Sequence, residues 1–234
     1  MHNKLFFKAK TLLNSIPLTD LHLHTNYTDG QNAIEEMVKS AISKGLKKIA
    51  FTEHVRKNSI FFTDFMAEFE DLKDKYKDKI EIFSGVEVKA IDYNGNLDIK
   101  KEMEKLVDII IGVAHTYPGF KGNIDRLDYK EALELEFKTL KGIIEKANVD
   151  IIGHIGGTCI KRFGKFNIDL VRELVIMCKE KGIVVEINSR YHKNLNEIMK
   201  IVMDINPYIS LGSDAHSINE VGDVIRKLKD WSYA

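Results

Sequence analysis

The sequence predicts an α/β fold built on a parallel sheet. Three observations carry that prediction. Seven short apolar, β-branched runs recur along the 234 residues; amphipathic helical patterns separate them; and only 3 prolines occur, with no low-complexity or Pro/Gly/Ser linker to mark a hinge. Continuous apolar runs of this length suit strands covered on both faces, the environment of a parallel sheet. Strict alternation of strand and helix then implies right-handed βαβ crossovers. Seven units are enough to close a barrel, and an open doubly wound sheet fits the same count. In either architecture the chemistry belongs at the carboxyl ends of the strands.

The strand-like runs are 18–24, 48–52, 80–88, 107–114, 149–154, 183–188 and 208–212. Ala33, Ile34, Met37, Val38, Ala41 and Ile42 recur at helical spacing, and Gly45 stands where a C-cap glycine belongs. Similar patterns fill 128–147, 168–181, 195–204 and 217–229, while the charged stretch 70–79 reads as a solvated helix face. The apolar residues of 1–17 are interrupted by Lys4, Lys8 and Lys10, well short of a signal peptide or membrane span. They read as a short helix packing on one domain that spans 1–234, with the cytoplasm as the expected compartment.

Composition excludes some partners. Basic and acidic residues balance at 35 each, so no global field draws polyanions or an anionic membrane. The 2 cysteines, Cys159 and Cys178, are too far apart for a CxxC motif and read as reduced, partly buried thiols. The pattern singles out no oligomer interface, because an apolar helical stripe reads alike against a core or a second chain.

The 8 histidines carry the functional signal, since six of them lie at or just beyond the end of a strand-like run. The stretch DLHLHTNYTDG holds His22 and His24 two apart. In a regular strand Asp20, His22 and His24 share one face and Leu21 and Leu23 the other. FTEH supplies Glu53 and His54, GVEV supplies Glu87, GVAH His115, IIGH His154, and LGSDAH Asp214 and His216. So many ionisable groups in one mouth are costly without cations to offset desolvation and repulsion. Neutral imidazoles and carboxylates suit zinc, manganese, iron and cobalt. The candidate ligands are His22, His24, Asp29, His54, Glu87, His115, His154, Asp214 and His216, enough for two or three ions. His2 and His192 are left without a role.

This succession of motifs, in this order from about residue 18 to 217, resembles the PHP family of polymerases and histidinol phosphatases. The resemblance implies a distorted (β/α)7 TIM-like barrel with a trinuclear centre that cleaves phosphoesters. It implies one ion on His22, His24, Glu87 and Asp214, a second on Glu87, His115 and His154, and a third on Asp29, His54 and His216. The family often has histidine at Asp29, which softens the third site, and aspartate at Glu53. Two ions about 3.5–4 Å apart lower the pKa of a bridging water, so hydroxide is the expected nucleophile. Glu87 would bridge two ions, and either a metal-bound water or a carboxylate such as Asp29 or Asp214 would protonate the leaving group, the sequence not choosing between them.

No GxSxG elbow or Walker loop offers another route. Arg190, Arg162 and Arg56 are candidate phosphate contacts. The expected substrate is a small phosphomonoester, as in a histidinol phosphatase. Nucleic acid, an amidohydrolase-type reaction and a metal-stabilised scaffold without turnover stand as the alternatives.

Overall fold

The computed structural model describes residues 5–120, 126–192 and 195–232; His2 lies outside them. Each apolar run becomes a strand: β2 is Thr19–Leu23, β3 Lys48–His54, β4 Glu81–Lys89, β5 Ile109–Val113, β6 Ile151–Ile152, β7 Val184–Asn188 and β8 Tyr208–Gly212. Neighbours from β2 to β8 pair in parallel and in chain order. Helices α1 (Ile34–Ser43), α2 (Phe62–Tyr76), α3 (Lys101–Glu104), α4 (Tyr129–Lys146), α5 (Gly157–Phe163), α6 (Ile168–Lys181) and α7 (Leu195–Ile205) fill the crossovers, and α8 (Asp223–Ser232) follows β8.

Two apolar layers follow. Helix residues such as Met37, Phe69, Leu174 and Val202 pack on the outer faces of the strands. A separate cluster of Leu21, Ala50, Ile109, Ile111, Val113, Ile151 and Val184 contains no helix residue and fills the space the sheet encloses. Phe6 joins that inner cluster. Of the helix expected over 1–17, the described residues form only the short 3-10 helix Ala9–Leu13, whose Ala9 and Leu12 pack in the outer layer. Ahead of it lies a two-residue strand, β1 (Phe7–Lys8), antiparallel to β8. Burying Phe6 beneath the sheet and pairing with an otherwise unpaired strand edge outweigh the weak helical pattern there.

The sheet curls until β2 meets β8, and that seam is where the barrel is distorted. Backbone pairing across it is limited to the bridge between Leu23 and Ala215, with His24 N–H donating to the Ala215 carbonyl at 2.9 Å. The Asp20 carboxylate does the remaining work. It accepts from the Ser213 N–H at 2.8 Å, the Ser213 hydroxyl at 2.5 Å and the Gly222 N–H at 2.7 Å. Burial pushes its pKa up to about 6 against the pull of these donors.

One strand departs from the expected alternation. Asp20 pairs with Ile49 and Leu23 with Phe51, so β2 carries one residue more than β3 over this interval. This is a bulge, and it re-aims side chains. Leu21 faces the inner cluster and Leu23 the outer one. Asp20 accordingly turns to the seam instead of sharing a face with both histidines.

Further departures are local. α2 begins well before the charged stretch because Phe62, Phe65 and Phe69 form its buried face. α8 begins at Asp223, six residues later than the pattern suggested, because the preceding turn is claimed by tertiary contacts. Lys44 Nζ donates to the carbonyls of Ile218, Asn219 and Val221 at 2.8–2.9 Å. Among the described residues no helix is long and apolar enough to cross a membrane.

Asp20→Ala strips three donors at the seam of their acceptor. It is expected to cost about 2–4 kcal/mol of folding stability, read as a lowered midpoint in urea unfolding of the metal-stripped chain with the slope unchanged.

Candidate metal centre

The ends of β2, β3 and β4 and the segments leaving β5, β6 and β8 deliver eight of the nine candidate ligands to one basin, and the loop after β2 delivers Asp29. The parallel register sets His54 beside Glu87. Glu87, 2% exposed, is the hub. Its Oε1 lies 2.8 Å from His154 Nε2, 3.4 Å from His115 Nε2 and 3.6 Å from His22 Nε2. Its Oε2 lies 2.6 Å from His54 Nδ1 and 3.6 Å from His24 Nε2.

Asp29 Oδ2 stands 3.4 Å from His54 Nε2 and 3.3 Å from His216 Nε2, and Asp214 Oδ1 stands 3.5 Å from both His24 Nε2 and His216 Nδ1. Asp214 is held in the left-handed region at φ 55°, a conformation that costs free energy and that surrounding contacts must impose.

The donor chemistry fits divalent ions. Among the described residues, three groupings bring one ligand atom per residue within 4.8 Å of one another: His22, His24 and Glu87; His24, Asp29, His54 and His216; and His54, Glu87 and His115. His24 and His54 each belong to two groupings, an overlap that the resemblance did not imply. Facing imidazole nitrogens lie 3.1 Å apart in His22 and His24 and 3.2 Å apart in His115 and His154. Among the described residues, buried His24 Nδ1 has no hydrogen-bond partner. His216 Nδ1–H donates to the Asp214 carbonyl at 2.9 Å, which leaves a lone pair on Nε2 facing Asp29.

The electrostatics of the protein groups show the same crowding. Burial drives His24 well below the ordinary histidine range and His115 down to about 4. Burial also opposes a charge on His54, yet hydrogen bonds and attraction from Asp29 and Glu87 carry it up to about 10. Burial raises the Asp214 carboxyl, whereas the hydrogen bond from His54 holds Asp29 well below the usual range. Imidazoles this close cannot all be protonated together.

The surrounding residues hold the ligands in place. Glu53, beside His54, turns away from the basin and accepts from the Thr25 N–H at 2.8 Å, the Thr25 hydroxyl at 2.6 Å and the Thr28 hydroxyl. It thereby shapes the loop that ends in Asp29, and burial pushes its pKa up to about 7. Glu186 on β7 was not singled out from the sequence. Its carboxylate contacts His22 Nδ1 and the His154 N–H. The available signal was an acid inside the apolar run IVVEIN, where a charge needs a partner.

Above the basin opens a cleft of about 800 Å³ lined by Asp29, His54, His115, Asp214 and His216 together with Gln31, Thr158, Lys161, Arg162, Arg190 and Tyr191. Arg162 and Arg190 therefore reach the mouth. Arg56 is not among the lining residues; its backbone N–H bonds the Ser59 hydroxyl at 2.9 Å. The sequence pattern did not show α5, which carries Thr158, Lys161 and Arg162. Buried Glu136 of α4 starts that helix by accepting the N–H groups of Thr158 and Cys159 at 3.0 and 2.8 Å. His192 is buried and its Nε2–H donates to the Ile155 carbonyl at 3.1 Å, a contact within the scaffold.

A parallel α/β barrel whose carboxyl face gathers imidazoles around one buried glutamate defines the class, a barrel-type metal enzyme. The family model of the PHP domain matches residues 20–190, and the chain belongs to that family. It is 30% identical over 225 residues to a protein of Caldicellulosiruptor saccharolyticus named probable phosphatase, covering 89% of this chain and 85% of the relative. A Vibrio campbellii protein of the same name is 27% identical over 222 residues, covering 88% and 80%. Among solved structures, histidinol phosphate phosphatase from Lactococcus lactis subsp. lactis, complexed with zinc, L-histidinol and phosphate, superposes with a TM-score of 0.66 at 19% identity, covering 90% of this chain and 93% of that chain.

Glu87→Ala removes the carboxylate shared by five imidazoles. The purified variant is expected to lose at least one equivalent of bound metal and its hydrolytic turnover, whereas Lys101→Ala, on exposed α3, keeps both. Elemental analysis of the two proteins, prepared side by side, checks this.

Proposed function

We propose that this chain hydrolyses small phosphomonoesters, with two or three divalent ions, zinc, manganese or iron, held by the nine ligands named above. The observation that carries this reading is the stacking of two layers: a buried basin of convergent imidazoles and carboxylates, and directly above it a cleft with cationic side chains. The names of its relatives and the ligands of its structural neighbour support the same reading.

When bound, such ions supply Lewis-acid charge for activating water and neutralising phosphoryl oxygens. The remaining work belongs to the chain. Arg162, Arg190 and Lys161 line the cleft where a phosphate dianion would enter, and a guanidinium there can grip two oxygens at once. Arg190 Nη1 already rests 3.3 Å from the Asp214 carbonyl and 3.4 Å from Glu220 Oε1, so its head group is kept beside the basin before substrate arrives. Asp29 and Asp214 both line the cleft, where either carboxylate is placed to pass a proton to the leaving alcohol.

The reading is tested by measuring phosphate release from para-nitrophenyl phosphate and a metabolite phosphomonoester library. The chelator-stripped chain is reloaded separately with zinc, manganese and iron. Turnover should vanish on stripping and return with at least one ion. A loaded protein inert to all monoesters, or one that cleaves oligonucleotides faster, overturns it. Arg190→Ala should raise KM for the best monoester about tenfold with a smaller change in kcat, in line with loss of one charge-assisted contact.

A further inference from the structure

From the geometry on β7 we infer that Glu186 is a positioning residue for the metal centre, one that sets which nitrogen of His22 is offered to an ion; this rests on the metal-centre reading above. Glu186 is 1% exposed and touches the ends of two other strands. Its Oε1 lies 2.6 Å from His22 Nδ1, and its Oε2 accepts the backbone N–H of His154 at 2.6 Å. One carboxylate thus ties β2, β6 and β7 together immediately behind the ligands His22 and His154.

The space for this contact is made by the backbone. A Cβ on Gly212 of β8 would stand 2.1 Å from Glu186 Oε1 and 2.8 Å from His22 Cβ, so no larger residue leaves the carboxylate where it is. A Cβ on Gly153 would in turn meet Glu186 Oε2 at 3.5 Å, after closer clashes with Val113 and Ile111.

The consequence for His22 follows from donor and acceptor counting. A carboxylate only accepts, so Oε1 calls for a proton on Nδ1, and in the neutral ring that a metal ligand requires Nε2 then carries the lone pair. That Nε2 is the atom facing His24 Nε2 at 3.1 Å and Glu87 Oε1 at 3.6 Å. A histidine ligand generally needs such a partner on its second nitrogen to hold its tautomer and ring orientation.

An amide in place of the carboxylate makes a sharp test because it is nearly isosteric and has one acceptor instead of two. The His154 backbone N–H can only donate, so it claims the amide oxygen. The amide NH2 is then left facing His22 Nδ1, which must accept, and the ring proton moves to Nε2, where it blocks the position an ion would take.

The experiment is calorimetric titration of the full, chelator-stripped chain with zinc and, separately, manganese. Four proteins are compared: wild type, Glu186→Gln, His22→Ala and the double variant, with thermal unfolding of each stripped protein as the control for folding. Glu186→Gln is expected to weaken the tightest affected site 10- to 100-fold and to cause no further loss in the His22→Ala background, because its effect passes through that ring. Wild-type affinity in Glu186→Gln, or an equal loss with and without His22, overturns the inference and leaves the metal reading standing. A wild type that binds neither ion overturns both. If Glu186→Gln does not fold, Glu186→Asp keeps two acceptor oxygens and should bind more tightly than Glu186→Ala; the reverse order overturns the inference.

Discussion

The structure depends on one crowded arrangement: a fully buried carboxylate, Glu87, within 3.6 Å of ring nitrogens from five histidines. Groups that ionise are expensive to bury, and several of one kind in one place are more so, unless opposite charge is shared among them. The barrel creates this arrangement because its strands run parallel and end on one rim. The same crowding makes the site receptive to cations, since imidazoles that cannot all be protonated keep lone pairs available.

Around that centre, carboxylates act as fasteners. Asp20 closes the seam between the first and last parallel strands, Glu53 folds the loop that presents Asp29, Glu136 starts the helix that carries Arg162, and Glu186 binds the backs of two ligand residues. Each is buried, and each accepts from two or more donors, so hydrogen bonds to the carboxylate offset part of the desolvation cost. The chain thereby uses acids in two ways, as ligands pointing into the basin and as acceptors pointing into the scaffold.

The PHP barrel also explains how a cationic cleft arises on a chain with no net charge. Lys161 and Arg162 come from one turn of α5 and Arg190 from the segment after β7. They meet above the basin only because consecutive units place their connecting segments side by side at the carboxyl face. Under the proposed function, the phosphate of the substrate would enter at this lining.

All seven parallel strands were legible from apolar runs, and so was the assembly of histidine and carboxylate at their ends, because strand burial and strand direction leave a local imprint. The sequence by itself determined the α/β alternation, the family motifs and the candidate ligand set. Only the tertiary structure decided the rest: that Phe6 plugs the barrel and Phe7–Lys8 edges it ahead of a short 3-10 helix, that a bulge separates Asp20 from His22, and that Glu186 stands behind the ligands. Those outcomes turn on contacts between residues far apart in the chain, Phe6 with the inner cluster, Asp20 with Ser213, His22 with Glu186. A local pattern encodes which residues must be buried, and it carries no record of which distant partner will meet them there.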